Sequence, residues 1–151
     1  MIMHRLDDSS LMRKALEEAK KAAREGEVPV GAVLIVDGRI FKGHNRVIKD
    51  SDPTAHAELV VLREASRTVG NYRISEASLI VTLEPCLMCA GAIVHARIAR
   101  LVFGARDERY GAAGSLVNAF DLELNHRPEV IPGVLEEECG TLLKTFFQVR
   151  R

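Results

Sequence analysis

No sign of charge predominates in this sequence: its 151 residues carry 21 basic and 21 acidic side chains, a formal charge of zero. A chain without an excess of either sign is not drawn as a whole onto nucleic acid or an anionic membrane, so any RNA partner has to be met by a local patch. Long apolar runs are missing too. Nowhere do about eighteen uncharged apolar residues follow one another, as a membrane-spanning helix needs. Residues 1–10 hold two aspartates and no apolar stretch of the kind an export signal contains. These absences lead us to expect a cytoplasmic protein with no membrane association. Cysteine is scarce and odd in number, three residues, two of them spaced as Cys86-x-x-Cys89. In a reducing compartment such a pair points to metal or redox chemistry before disulfides. No fixed-period repeat, low-complexity tract or Pro-, Gly- or Ser-rich linker divides the chain, and a single domain over residues 1–151 is expected.

What is present is an apolar fraction of 47%, ordinary for a packed core, and its spacing orders the elements. Asp8, Ser9 and Ser10 offer N-caps to a segment in which Leu11, Ala15, Ala19 and Ala22 recur at helical spacing up to Gly26, predicting a helix over 9–25. The β-branched run 30–36, followed by Asp37-Gly38, predicts a hairpin whose second strand covers 39–45. Asp52-Pro53-Thr54 is read as the cap of a second helix that ends before Gly70-Asn71. A strand over 78–83 runs into Glu84-Pro85, with Pro85 suited to the entrance of a third helix carrying Cys86 to His95, and a fourth strand is expected over 98–103.

Strand, helix, strand in that order implies a parallel crossover with helices packed on the sheet. A loop over 104–114, a short helix over 116–120 and a Pro-flanked edge strand over 129–131 come next. The chain closes with a helix over 135–148 whose Leu135, Cys139, Leu142, Leu143 and Phe146 form one apolar stripe. The expected fold is α/β, a three-layer α/β/α sandwich around a mixed sheet of five strands.

Two short motifs carry the chemistry, His56-Ala57-Glu58 and Pro85-Cys86-Leu87-Met88-Cys89. Each alone is weak, since His-x-Glu arises by chance and CxxC serves redox as well as metal sites. Together, each near a helix start in an α/β pattern, they are specific. Zinc favours tetrahedral nitrogen and sulfur ligands, and its catalytic sites keep three protein donors and one open position for water. One imidazole and two thiolates meet that count. The N–H groups and positive dipole end of a first helical turn favour thiolate over thiol. Glu58 stands about 200° further round a helix from His56, away from the same metal-binding face. Where the helix meets the site end-on, its carboxylate suits proton transfer to and from water.

The pairing resembles the H-x-E and P-C-x-x-C signature known for zinc deaminases, the cytidine-deaminase-like superfamily. More narrowly the chain is similar to bacterial tRNA-specific adenosine deaminases, through Glu27-Val28-Pro29-Val30-Gly31-Ala32, Asp52-Pro53-Thr54-Ala55-His56-Ala57-Glu58, Thr82-Leu83-Glu84-Pro85-Cys86-Leu87-Met88-Cys89-Ala90-Gly91-Ala92 and Gly111-Ala112-Ala113-Gly114-Ser115. The resemblance implies a cytidine-deaminase-like fold and one zinc per chain on His56, Cys86 and Cys89, with Glu58 as the catalytic proton shuttle. It implies a homodimer that converts the wobble adenosine of a tRNA anticodon stem-loop to inosine, the base flipped into the zinc pocket. Asn45 and Asp107 match family residues beside the substrate, and His126 is a third candidate for substrate binding. Glu108, Arg109 and Tyr110 depart from the commoner family pattern, in which a small residue, a lysine and a hydroxyl residue often stand there.

Other readings remain open at this level. A structural zinc needs a fourth protein ligand, and the candidates are poor. Strand alternation turns His44 away from the face that Asn45 shares, His95 lies about 9 Å beyond Cys89 along a helix, and Cys139 falls in an apolar stripe. A deaminase of guanine, cytosine or deoxycytidylate type would use the same chemistry in a closed pocket. A silent RNA-binding subunit would have no use for Glu58. An RNA substrate predicts that several of Lys20, Lys21, Arg24, Arg97, Arg100, Arg106, Arg109, Arg150 and Arg151 gather on one surface.

Overall fold

The computed structural model describes residues 7–150. Residues 1–6, most of the stretch read for an export signal, lie outside the described residues, as does Arg151. The order is α1 (Asp8–Arg24), β1 (Gly31–Val36), β2 (Arg39–His44), α2 (Ala57–Val69), β3 (Ser78–Leu83), α3 (Leu87–Ala96), β4 (Arg100–Ala105), a 3-10 turn (Ala119–Asp121), β5 (Glu129–Ile131) and α4 (Glu136–Val149). The five strands form one mixed sheet in the order β2-β1-β3-β4-β5. β1 runs antiparallel to both β2 and β3, while β3, β4 and β5 are parallel.

Alternation along the strands sorts side chains between two cores, as a period of two demands. Ala32, Leu34 and Val36 of β1, Leu79 and Val81 of β3, and Leu101 and Phe103 of β4 share one core with Val61 and Leu62 of α2 and Ile93 of α3. Val33, Ile80 and Val102 face the other way, onto Leu11, Met12 and Ala15 of α1 and Cys139 of α4. Helices thus cover both faces, giving the expected α/β/α sandwich. No described helix is long and apolar enough to cross a membrane.

Local chemistry explains most element ends. Asp37 and Gly38 both take positive φ, the geometry a two-residue hairpin turn requires. Gly70 ends α2 in the left-handed region, its N–H and that of Asn71 both returning to the Ser66 carbonyl. Some expectations shift. The cap of α1 is Asp7, whose carboxylate accepts the Ser10 N–H at 2.7 Å, and not Asp8, Ser9 or Ser10. Asp52-Pro53-Thr54 does not cap α2. Asp52 instead accepts the Thr54 N–H and hydroxyl to build a turn, and the helix begins at Ala57. The fourth strand starts two residues late because Ile98 still closes the end of α3, its N–H reaching the Ile93 carbonyl. Between Gly111 and Asn118 the chain is spent on loop closures, so the expected short helix contracts to the 3-10 turn.

Close approach of α1 to the sheet depends on Gly31. A Cβ there would overlap the Ala15 carbonyl and stand 2.5 Å from the Ala19 nitrogen, both backbone atoms that cannot step aside as a side chain can. Gly31→Ala is expected to destabilise the protein by about 1–3 kcal/mol, the usual cost of overpacking, read as a lowered urea midpoint with an unchanged slope.

Candidate metal centre and active-site cavity

His56 and Cys86 occupy the N-cap positions of α2 and α3, with extended backbone, and neither side chain caps its own helix. Two helices therefore meet one spot with their N-termini, and the residues that would ordinarily satisfy those ends present metal-binding atoms instead. For α2 the missing cap comes from elsewhere in the chain. Asn45, one residue beyond β2, accepts the Ala57 N–H on its Oδ1 at 2.8 Å. Cys89 lies one turn into α3 and is wholly buried.

The donor atoms of His56, Cys86 and Cys89 all lie within 4.8 Å of one another, and no fourth His, Cys, Asp or Glu joins them among the described residues. Their spacing can be tested against zinc. Bonds of about 2.0 Å to nitrogen and 2.3 Å to sulfur, opened to the tetrahedral angle, put the two donors about 3.5–3.6 Å apart. His56 Nδ1 is 3.6 Å from Cys89 Sγ and 3.7 Å from Cys86 Sγ. The site fits zinc in both donor chemistry and span.

The hydrogen bond from Cys89, and then that with His56, pulls Cys86 down to about 4, while the same bond and burial push Cys89 far up. The His56 imidazole is raised chiefly by Cys86. A divalent ion supplies the positive charge that a second thiolate requires.

Glu58 points into the same place from the first turn of α2. It is 3% exposed and stands outside the donor triad. Burial pushes its carboxyl up to about 7, where a group can both accept and return a proton near neutrality. The centre opens into a cavity of about 970 Å³, lined near the metal site by His56, Glu58, Cys86 and Asn45. With its Oδ1 engaged by Ala57, Asn45 keeps its amide N–H groups for whatever enters.

The rim of this cavity carries Arg106, Asp107, Arg109 and Tyr110 from the loop after β4, and Phe147 and Arg150 from the end of α4. Asp107 turns its carboxylate back to accept the Arg109 and Tyr110 N–H groups. Arg150 lies 3.8 Å from the centre of the Phe146 ring, and Phe147 is 51% exposed. Three of the nine basic positions thus gather at one opening. Others do not: Lys20 and Lys21 pair with Glu17 and Glu18, and Arg100 with Asp8 at the far end of β4.

His126 is not brought to the cavity. Its Nε2 sits 2.6 Å from the Ile98 carbonyl, at the end of β4 opposite the metal centre. The three poor candidates for a fourth ligand stay away as expected. His44 is engaged by Glu18 and Glu25, His95 is exposed, and Cys139 packs beneath Gly104.

Two buried carboxylates at the cavity, Glu27 and Glu84, have no individual role in the sequence reading. Glu27 accepts the Ile48 and Lys49 N–H groups, pinning one side of the mouth. Glu84 does the same for the opposite side through the loop after β4. The available signal was an acid at the edge of an apolar strand, a placement that costs free energy unless partners await it.

Residues 5–105 match the family model described as the cytidine and deoxycytidylate deaminase zinc-binding region. The tRNA-specific adenosine deaminase of Haemophilus influenzae is 56% identical over 147 residues, covering 95% of this chain and 85% of that one. The tRNA-specific adenosine deaminase of Bacillus subtilis is 48% identical over 146 residues, covering 95% and 91%. A solved structure from a study of A-to-I editing by tRNA:A34 deaminases superposes with a TM-score of 0.85 at 46% identity, over 88% of this chain and 98% of that one. With the zinc-shaped triad and this similarity along nearly its whole length, the chain belongs to the tRNA-specific adenosine deaminase family, zinc-dependent enzymes of the cytidine and deoxycytidylate deaminase group.

Proposed function

We propose that this protein hydrolyses adenosine to inosine in tRNA, at the wobble position of an anticodon stem-loop, as a cytoplasmic homodimer with one zinc per chain. The observation that carries the reading is a three-donor zinc site beside a buried carboxyl at the base of an open, arginine-rimmed cavity. In a chain with no net charge, three rim arginines, Arg106, Arg109 and Arg150, against Asp107 and Glu108 leave a small local excess of positive charge for an RNA backbone.

His56, Cys86 and Cys89 would hold the zinc, which supplies Lewis acidity that makes water nucleophilic near neutral pH. Glu58 takes a proton from the attacking water and delivers it to N1 of the adenine as C6 becomes tetrahedral. It then carries the second proton to the exocyclic amine, and ammonia leaves. Water and adenosine are consumed, inosine and ammonia formed. Asn45 donates from its amide to the flipped nucleoside, with its carbonyl already committed to α2. Asp107 shapes the loop that borders the base.

The homodimer is supported by apolar side chains left in solvent on adjoining segments. Leu87 and Met88 open α3, and Leu116 and Val117 stand in the loop that bridges to Cys86 at Gly111. Clustered exposure of this kind marks contact surfaces. The cytoplasm is the compartment that keeps the two cysteine ligands and Cys139 reduced.

The test is comparative. Purified zinc-loaded protein is expected to release ammonia from an anticodon stem-loop with adenosine at the wobble position, and to leave free adenosine, guanine, cytosine and deoxycytidylate unchanged. Turnover confined to a free base or nucleotide would move the protein to another branch of the same chemistry.

A further inference from the structure

We propose that Glu84 is a positioning residue whose carboxylate locks the loop 107–115 onto the strand end that carries Cys86, and thereby sets how tightly adenosine-containing RNA is held over the zinc site. The inference rests on the tRNA reading for its substrate, and on four hydrogen bonds for its geometry. Glu84 Oε1 accepts the Asp107 N–H at 3.1 Å and the Ser115 hydroxyl. Its Oε2 accepts the Ala113 N–H at 2.9 Å and the Ser115 N–H at 3.1 Å.

A carboxylate offers about four lone-pair directions, and all four are taken. Glu84 lines the cavity and is 2% exposed, but it has nothing left with which to touch substrate. Its partners sit at both ends of the loop, so one anion closes it as a ring.

The neighbouring backbone is stitched to the same strand end. Ala112 N–H reaches the Pro85 carbonyl at 2.8 Å, and Gly111 forms an antiparallel bridge with Cys86. Gly111 has no room for a side chain, because a Cβ would overlap both the Asp107 carbonyl and the Glu84 carboxylate. The segment Glu84-Pro85-Cys86 therefore presents a metal ligand with one residue and anchors the rim with another. Loop and metal centre share one rigid reference, and Arg106, Asp107 and Arg109 hang from it at the mouth.

The test compares Glu84→Gln, Ser115→Ala and Gly111→Ala with the unaltered zinc-loaded protein. Glutamine keeps the shape but turns one oxygen into an NH2 that faces N–H donors. We expect KM for the stem-loop to rise about tenfold in Glu84→Gln and in Gly111→Ala, and about threefold in Ser115→Ala, where a single bond is lost. kcat should stay within about threefold and zinc at one per chain. Amide hydrogen exchange at Asp107, Ala113 and Ser115 should quicken in Glu84→Gln with α2 and α3 unaffected. Unchanged exchange at those amides overturns the clamp whatever the substrate is. A KM that stays at the unaltered value in Glu84→Gln and Ser115→Ala overturns its role in RNA binding, as does a fall of kcat together with zinc loss. Failure of the tRNA reading looks different, because the unaltered protein itself then spares the stem-loop.

Discussion

Glu58→Ala is expected to lose about 10⁴-fold in ammonia release from the stem-loop, while the purified variant still carries one zinc per chain. Positioned acid–base groups contribute about 10²–10⁴-fold each. The upper figure applies here because, in the proposed reaction, one carboxyl serves two successive proton transfers. Metal should stay because His56, Cys86 and Cys89 already span a tetrahedral face without help from Glu58.

Stability should hold or rise. A carboxyl buried this deeply is one that the fold keeps at a cost, and removing it relieves that cost. Glu58→Gln keeps the volume and should lose as much activity as the alanine variant. Zinc analysis and an ammonia assay on the same preparations decide the matter. Loss of metal on removing Glu58 would make it a ligand, and full activity would dismiss it as a shuttle.

Removing a ligand acts in the opposite pattern, taking metal and activity together. His56→Ala, Cys86→Ala and Cys89→Ala are each expected to fall from one zinc per chain to nearly none, with deamination lost. Two protein donors leave an ion half-coordinated, and no fourth His, Cys, Asp or Glu belongs to the donor cluster among the described residues.

A melting experiment adds an independent readout. Zinc that binds only the folded state stabilises it by about 4 kcal/mol at a thousandfold excess over Kd. In a chain of this size that is a change in Tm on the order of 10 °C. The unaltered protein should lose that increment when a chelator is added. Cys86→Ala should melt at the chelated temperature with or without it. A variant that still responded to chelator would show the metal bound elsewhere.

Much of the architecture was readable from local pattern. Leu11, Ala15, Ala19 and Ala22 were expected on one stripe, and all are buried. Asp37-Gly38 announced the hairpin, and β5 covers the three residues expected for it. These readings succeed because helical and strand periods, and the left-handed turn, are properties of residues adjacent in the chain. His56, Cys86 and Cys89 were legible for a related reason, since few combinations of donors at that spacing make sense except around a metal.

The misreadings have a common cause. Asp52-Pro53-Thr54 has the composition of a cap, but Asn45 supplies the cap to α2 from a different strand end. His126 has the chemistry of a binding residue, but the turn before β5 directs it to the Ile98 carbonyl. Glu84 shows no role of its own in the local pattern, because the donors that make it tolerable in the interior stand 23 to 31 residues further along.

By itself, the sequence determined the order of strands and helices, the pair of helix starts that bring nitrogen and sulfur donors, and the carboxyl that accompanies them. All of this is written in spacings of a few residues. Only the tertiary structure decided which polar groups face the cavity, which arginines gather at its rim, and which buried acids hold its two loops. Those outcomes depend on hydrogen bonds between distant segments, and a buried polar group is stable only where such a partner arrives.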